Sequence, residues 1–140
     1  MAVTFKLFVY ATFLEGEADH EIIADGTLVG PAKTAKGYRL VEVNALGGMI
    51  EGGDEAVVGE LYEVEYDTLA ACDKKRDHPH LFHRVEIDLE DGTRAHTFLM
   101  HSNQVRGKRR VKDGDWRARF KGERPTAGNF VNWAKSRYRR

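Results

Sequence analysis

The sequence predicts an α+β domain in which strands outnumber short helices and the mixed sheet curls into a small barrel. Three observations carry this expectation. Residues 5–13 form a largely apolar and aromatic run, the pattern of a central buried strand. A second run, "AVVGELYEV", has the same character, with Gly59 marking a bend or a close backbone approach. In "HRVEIDLEDGTRAHTFLM", Val85, Ile87 and Leu89 alternate with Arg84, Glu86 and Asp88, and Asp91-Gly92 supplies the turn of a hairpin. A chain of 140 residues supports one domain with a modest core. With 41% hydrophobic and 31% charged residues, it has the composition of a folded, soluble chain.

The remaining elements follow in order. In "GEADHEIIADG", Ala18, Ile22 and Ile23 give a short helical apolar face that Gly26 ends. "TLVGPAKTAKGYRLVEV" reads as two short strands broken by Gly-Pro and Lys-Gly. The paired glycines of "NALGGMIEGGDE" predict a loop. "EYDTLAACDKK" predicts a short helix with Asp67 as N-cap and Leu69 and Cys72 on its apolar face. Near the end, Phe130, Trp133, Ala134 and Tyr138 fall on one helical stripe, as expected of a closing helix.

Net charge is zero, but it is the sum of two opposed parts. Residues 1–103 hold 9 Lys/Arg and 19 Asp/Glu, whereas residues 104–140 hold 13 and 3. The expected organisation is therefore a domain at 1–103 and a basic, aromatic C-terminal extension at 104–140 packed on it. A neutral whole molecule argues against nucleic acid as partner. The apolar run "LFVYATFL" is too short to cross a bilayer and reads as a buried strand. The lone cysteine, Cys72, excludes an internal disulfide and favours a reducing compartment. A cytoplasmic protein is expected; its oligomeric state is open, a homo-oligomer included.

Read in order, "LFVYATFLEGEADHEII", "LVGPAKTAKGYRLVEV", "GGMIEGGDEAVVGELYEV", "DTLAACD" and "HPHLFHRVEI" resemble the γ-glutamylcyclotransferase-like (AIG2-like) family over about residues 5–101. The first piece is similar to the family's Tyr-Gly-Thr/Ser-Leu segment followed by Gly-Glu-x-Asn-His. The resemblance implies a small mixed barrel with a cavity at one end. It also implies that the loop Tyr10, Ala11, Thr12 and Phe13 holds a substrate carboxylate on backbone N–H groups, an anion-binding nest. Ala11 stands where the family has glycine, which accepts a positive φ more readily. The implied reaction is the attack of a γ-glutamyl compound's own α-amine on its γ-carbonyl, releasing 5-oxoproline and an amine. It needs no cofactor and no metal, but it does need a glutamate to move the proton.

That glutamate follows the Asp of the family's Leu-Asp pair by three residues. Here the pair is Cys72-Asp73, and the third residue onward is Arg76, which cannot act as a base. Asp77 takes the family's glycine position, His78-Pro79 is retained, Phe82 replaces a tyrosine before Arg84, and Phe98 replaces a tyrosine in the last strand. Asp77 is therefore a candidate substitute base, and Arg76 with Arg84 a candidate carboxylate or phosphate holder. The other reading of Arg76 is a solvent-exposed cation paired with Asp73 or Asp77. Asp73 reads as the anchor of the helix end. Glu51, Glu55 and Glu60 are further carboxylates that the sequence does not orient. The histidines of "HPHLFH" have no standard metal-ligand spacing, so no metal is expected. Cys72 reads as a buried structural thiol. The expected function is γ-glutamylcyclotransferase-type turnover of a small amine/carboxylate compound. The alternative is an altered member that binds a small anion or a protein partner, or runs another reaction in the same pocket.

Overall fold

The computed structural model describes residues 3–119. The expected closing helix of 130–138 lies outside them. Among the described residues, eight strands and one α-helix follow in chain order: β1 (Thr4–Val9), β2 (Thr27–Lys33), β3 (Tyr38–Val43), β4 (Leu46–Glu51), β5 (Val58–Glu65), α1 (Tyr66–Lys75), β6 (His83–Asp88), β7 (Arg94–Leu99) and β8 (Arg109–Arg110). They form a five-stranded sheet, β2-β5-β1-β7-β6, and a three-stranded sheet, β4-β3-β8. The α+β class is as the sequence predicts, and β1 is the central strand.

The sheet is not a closed barrel. Its outer strands β2 and β6 meet only just past their ends, at the bridge Thr34–Leu89, and the other three strands form a separate sheet. Tyr10 ties the two sheets together: its hydroxyl donates to the Phe98 carbonyl of β7 (2.5 Å) and accepts from the Met49 N–H of β4 (3.2 Å). Both groups are buried, and burial pushes the Tyr10 phenol up to about 12, against the hydrogen bond from Met49 and the positive charge of Arg76.

Four local expectations need correction. The paired glycines belong to β4, not to a loop; the turn is Asn44-Ala45, both at positive φ (50° and 70°), joining Val43 to its partner Leu46. Glycine is needed inside this strand because a Cβ on Gly47 would lie 2.4 Å from Ala11 Cβ and 3.1 Å from the Trp116 ring. The Gly-Pro pair does not break β2; the strand continues through a bulge between Leu28 and Gly30, as an edge strand can. The N-cap of α1 is Glu65, which leaves Asp67 in the first turn, favourably placed for the helix dipole. The face expected over 18–23 is only a 3₁₀ turn, His20–Ile23, with Ile23 buried.

The basic segment up to residue 119 packs on the acidic body. Val105, Val111 and Trp116 are buried in the core, Val111 N–H bonds to Leu40 O, and β8 extends β3. Its cations meet carboxylates: Arg110 with Glu55, Arg117 with Glu17 and Glu60, Arg119 with Glu42. This gives the charge asymmetry an internal use.

Candidate functional site

β1 ends in a tight turn, Ala11–Phe13, wholly buried against β4. Ala11 takes φ 55°, the left-handed region, which costs an L-residue about 1 kcal/mol. Phe13 N–H bonds to Tyr10 O and Leu14 N–H to Ala11 O. The N–H groups of Ala11 and Thr12 make no hydrogen bond among the described residues.

Arg76 comes to this loop from the far end of α1. It caps the helix, with its own N–H on Cys72 O (2.9 Å), so its positive charge sits where the helix dipole favours one. The expectation of an exposed arginine paired with Asp73 or Asp77 is corrected: Arg76 is 4% exposed. One guanidinium nitrogen donates to Thr12 Oγ1 (2.7 Å) and the other terminal nitrogen to Asp19 Oδ2 (3.3 Å). Thr12 in turn donates to the same Asp19 oxygen (2.6 Å). The cation lies 4.0 Å from the Phe13 ring centre and 5.4 Å from that of Phe82. Partial burial would raise the Asp19 carboxyl, but the Thr12 hydroxyl and the Arg76 charge outweigh it and hold the group below its usual value.

A second polar group adjoins the loop. Glu60, opposite Val9 in the sheet, accepts from Glu15 N–H (3.0 Å) and the Tyr62 hydroxyl (3.1 Å), and pairs with Arg117 (3.4 Å). Burial, then the Glu60 charge, pushes the Tyr62 phenol up. His20 Nδ1 lies 2.9 Å from Phe13 O; because a carbonyl only accepts, that nitrogen carries the proton.

The other expected residues stand apart from the Arg76 cluster. Asp77 is exposed in a turn at φ 52°, and its carboxylate makes no hydrogen bond or ion pair among the described residues. Arg84 grips Asp73 through two nitrogens (2.8 and 3.2 Å) and donates to His96 Nδ1 (3.2 Å), locking the helix end to β6 and β7. Glu51 is exposed. Cys72 is fully buried, its thiol pushed up to about 12 mainly by burial, too high for a nucleophile. The described residues hold no cluster able to bind a metal. A cavity of about 200 Å³ lies along β2, lined by Pro31, Ala32, Lys33, Leu61, Leu89 and Glu90. It is not the cavity expected at the loop, where Phe13, Phe82, Phe98 and Arg76 are packed side by side.

Two histidines give the fold a pH dependence. Burial lowers His83, reinforced by His101 stacked on it at 4.4 Å; burial also lowers His96, reinforced by Arg84. Above the ordinary value of 6.5 both are neutral, folded or unfolded, and their contribution is intact. As the pH falls below that value, the unfolded chain takes up protons that the folded chain resists, and stability is lost. Urea midpoints should therefore drop between neutrality and about pH 5. They should drop less in a His83→Asn chain; equal slopes for the two chains would refute the assignment to His83.

Asp19 is the residue that sequence reasoning missed. A signal was present: "GEADH" has an aspartate where the pattern Gly-Glu-x-Asn-His has an amide, in the same chain that has a base where the pattern has an acid. Together the fold and the site define a class, a small α+β protein with a buried ionic cluster under a backbone turn. The chain belongs to the γ-glutamyl cyclotransferase, AIG2-like family, whose model matches residues 7–118. It is 31% identical over 110 residues to a Vibrio cholerae protein named "Putative gamma-glutamylcyclotransferase", covering 79% of this chain and 93% of that one. It is 29% identical over 97 residues to the gamma-L-glutamyl-butirosin B gamma-glutamyl cyclotransferase of Niallia circulans, covering 65% and 62%. A solved structure of a uropathogenic Escherichia coli-specific protein superposes with a TM-score of 0.72 at 25% identity, covering 86% and 98%. Among the described residues no helix is long and apolar enough to cross a membrane.

Proposed function

We propose that this chain is a γ-glutamylcyclotransferase-type enzyme that closes a γ-glutamyl amine on itself and releases 5-oxoproline. One observation carries the reading. Ala11 is held at φ 55°, so the loop keeps the left-handed turn for which the family uses glycine, and the Ala11 and Thr12 N–H groups are left to bind an anion. The Arg76 guanidinium beside Thr12 strengthens that preference. A γ-glutamyl compound carries a fitting anion in its α-carboxylate. Gripping that end folds the α-amine toward the γ-carbonyl, and an intramolecular attack gains most of its rate from such positioning. The relatives' names support the class of reaction and say nothing of this chain's leaving amine.

The test is 5-oxoproline release from a panel of γ-glutamyl amines and γ-glutamyl amino acids, followed by mass spectrometry. Turnover of at least one member is expected. Binding of 5-oxoproline with no release from any member would instead favour a non-catalytic binder, the reading that an arginine at the usual glutamate position suggests.

A further inference from the structure

We propose that Asp19 is the group that moves the proton, the carboxylate having passed from the end of α1 to the loop while its place was taken by Arg76. The inference rests on the cyclotransferase reading above and adds the residue that the reading lacks. Two departures from the family pattern are involved, acid to base at 76 and amide to acid at 19. They lie 57 positions apart in sequence, yet their side chains meet at 3.3 Å. Among the described residues, only Asp19 offers a carboxylate that touches both the loop, through Thr12 at 2.6 Å, and Arg76. Asp77 is exposed and Glu60 is engaged by Glu15, Tyr62 and Arg117.

The pair is also complementary to what it has to bind. An α-amino-acid head group is a carboxylate and an ammonium on one carbon. Arg76 and Asp19 are a guanidinium and a carboxylate at the same scale of separation, with charges reversed. Arg76 is 4% exposed, so a substrate carboxylate must part the packing around it; once there it displaces Asp19 from the guanidinium and leaves it facing the ammonium. Losing that share of Arg76 and gaining a negative neighbour both raise the basicity of Asp19, against the ammonium that now faces it.

The steps balance. The α-ammonium gives a proton to Asp19, and the freed amine forms a bond to the γ-carbonyl carbon. The bond from that carbon to the leaving nitrogen then breaks as Asp19 returns the proton to that nitrogen. The ring nitrogen loses its second proton to solvent, and the released amine takes one up, so no net proton is consumed.

The experiment compares the full-length chain with Asp19→Asn, Asp77→Asn and Asp19→Asn/Arg76→Glu, each checked for folding by urea melt. With a γ-glutamyl amine that the parent chain turns over, Asp19→Asn should lose about 100-fold or more in kcat and the acid limb of its pH profile. Asp77→Asn should stay near parent activity. The double variant, which restores the family's Asn and Glu, should recover most of the loss. A folded Asp19→Asn that keeps the parent rate and pH profile overturns the inference while the cyclotransferase reading stands. A folded double variant as slow as Asp19→Asn overturns the exchange of positions. A parent chain that turns over no γ-glutamyl compound overturns the reading beneath it, and the inference with it.

Discussion

Replacing Arg76 with methionine should destabilise the fold by about 3–5 kcal/mol, far more than loss of a surface ion pair. Arg76 and Asp19 have side chains only 5% and 13% exposed. Removing the cation leaves Asp19 with Thr12 and the distant Lys75 (3.7 Å) as its only partners among the described residues. A carboxylate left in that position costs more than the pair contributed. The companion change separates the two effects: in Arg76→Met/Asp19→Asn no charge is stranded, and most of the lost stability should return. Urea melts of both variants give the answer. A loss below about 1 kcal/mol in the single variant would show that Asp19 escapes to water, and that the ionic cluster is not structural.

Adding one methyl group at Gly47 should be nearly as damaging and should strike the loop directly. The new Cβ would stand 2.4 Å from Ala11 Cβ, well inside contact distance, so either β4 or the Ala11–Phe13 turn must move. Overpacking of this kind costs about 1–3 kcal/mol. On the proposed cyclotransferase reading the turn's N–H groups hold the ligand's carboxylate, so any binding of 5-oxoproline should weaken with it. Gly47→Ala combined with Ala11→Gly removes the colliding atom and relieves the positive φ at the same time. The double variant should therefore regain much of the stability and the binding. Some loss should persist, since the Trp116 ring lies 3.1 Å from the same Cβ. Additive effects of the two changes would mean that the contact between strand and turn is not what Gly47 protects.

What could be read from residues alone follows from how local each signal is. β1, β5 and the β6–β7 hairpin were legible because burial imposes a pattern within a few residues, as in Val85, Ile87 and Leu89. β4 was not, since Gly47 and Gly48 look like a loop until the side chains opposite them, Ala11, Trp116 and Met100, are known. The family resemblance pointed to the loop and to position 76, and the structure brings the two together at Thr12. The resemblance could not say which way Arg76 points, because that depends on partners 57 and 64 residues away, Asp19 and Thr12. A buried guanidinium and an exposed one have the same local sequence; only the partner distinguishes them. The missed residue, Asp19, was hidden for the same reason: a lone change from amide to acid looks neutral until it is matched with its opposite.

Trp116 sets a practical limit on how short this protein can be made. Its indole is 1% exposed and roofs the glycine strand beneath it, while its neighbours Arg117 and Arg119 fasten to Glu60 and Glu42. A clone stopped where the composition changes, after residue 103, would open a hole the size of a two-ring aromatic over β4. It would also unmask a cluster of acids that now have internal counter-ions. A fusion junction or affinity tag therefore belongs beyond residue 119, and a shorter expression product should be treated as a different, wetter molecule.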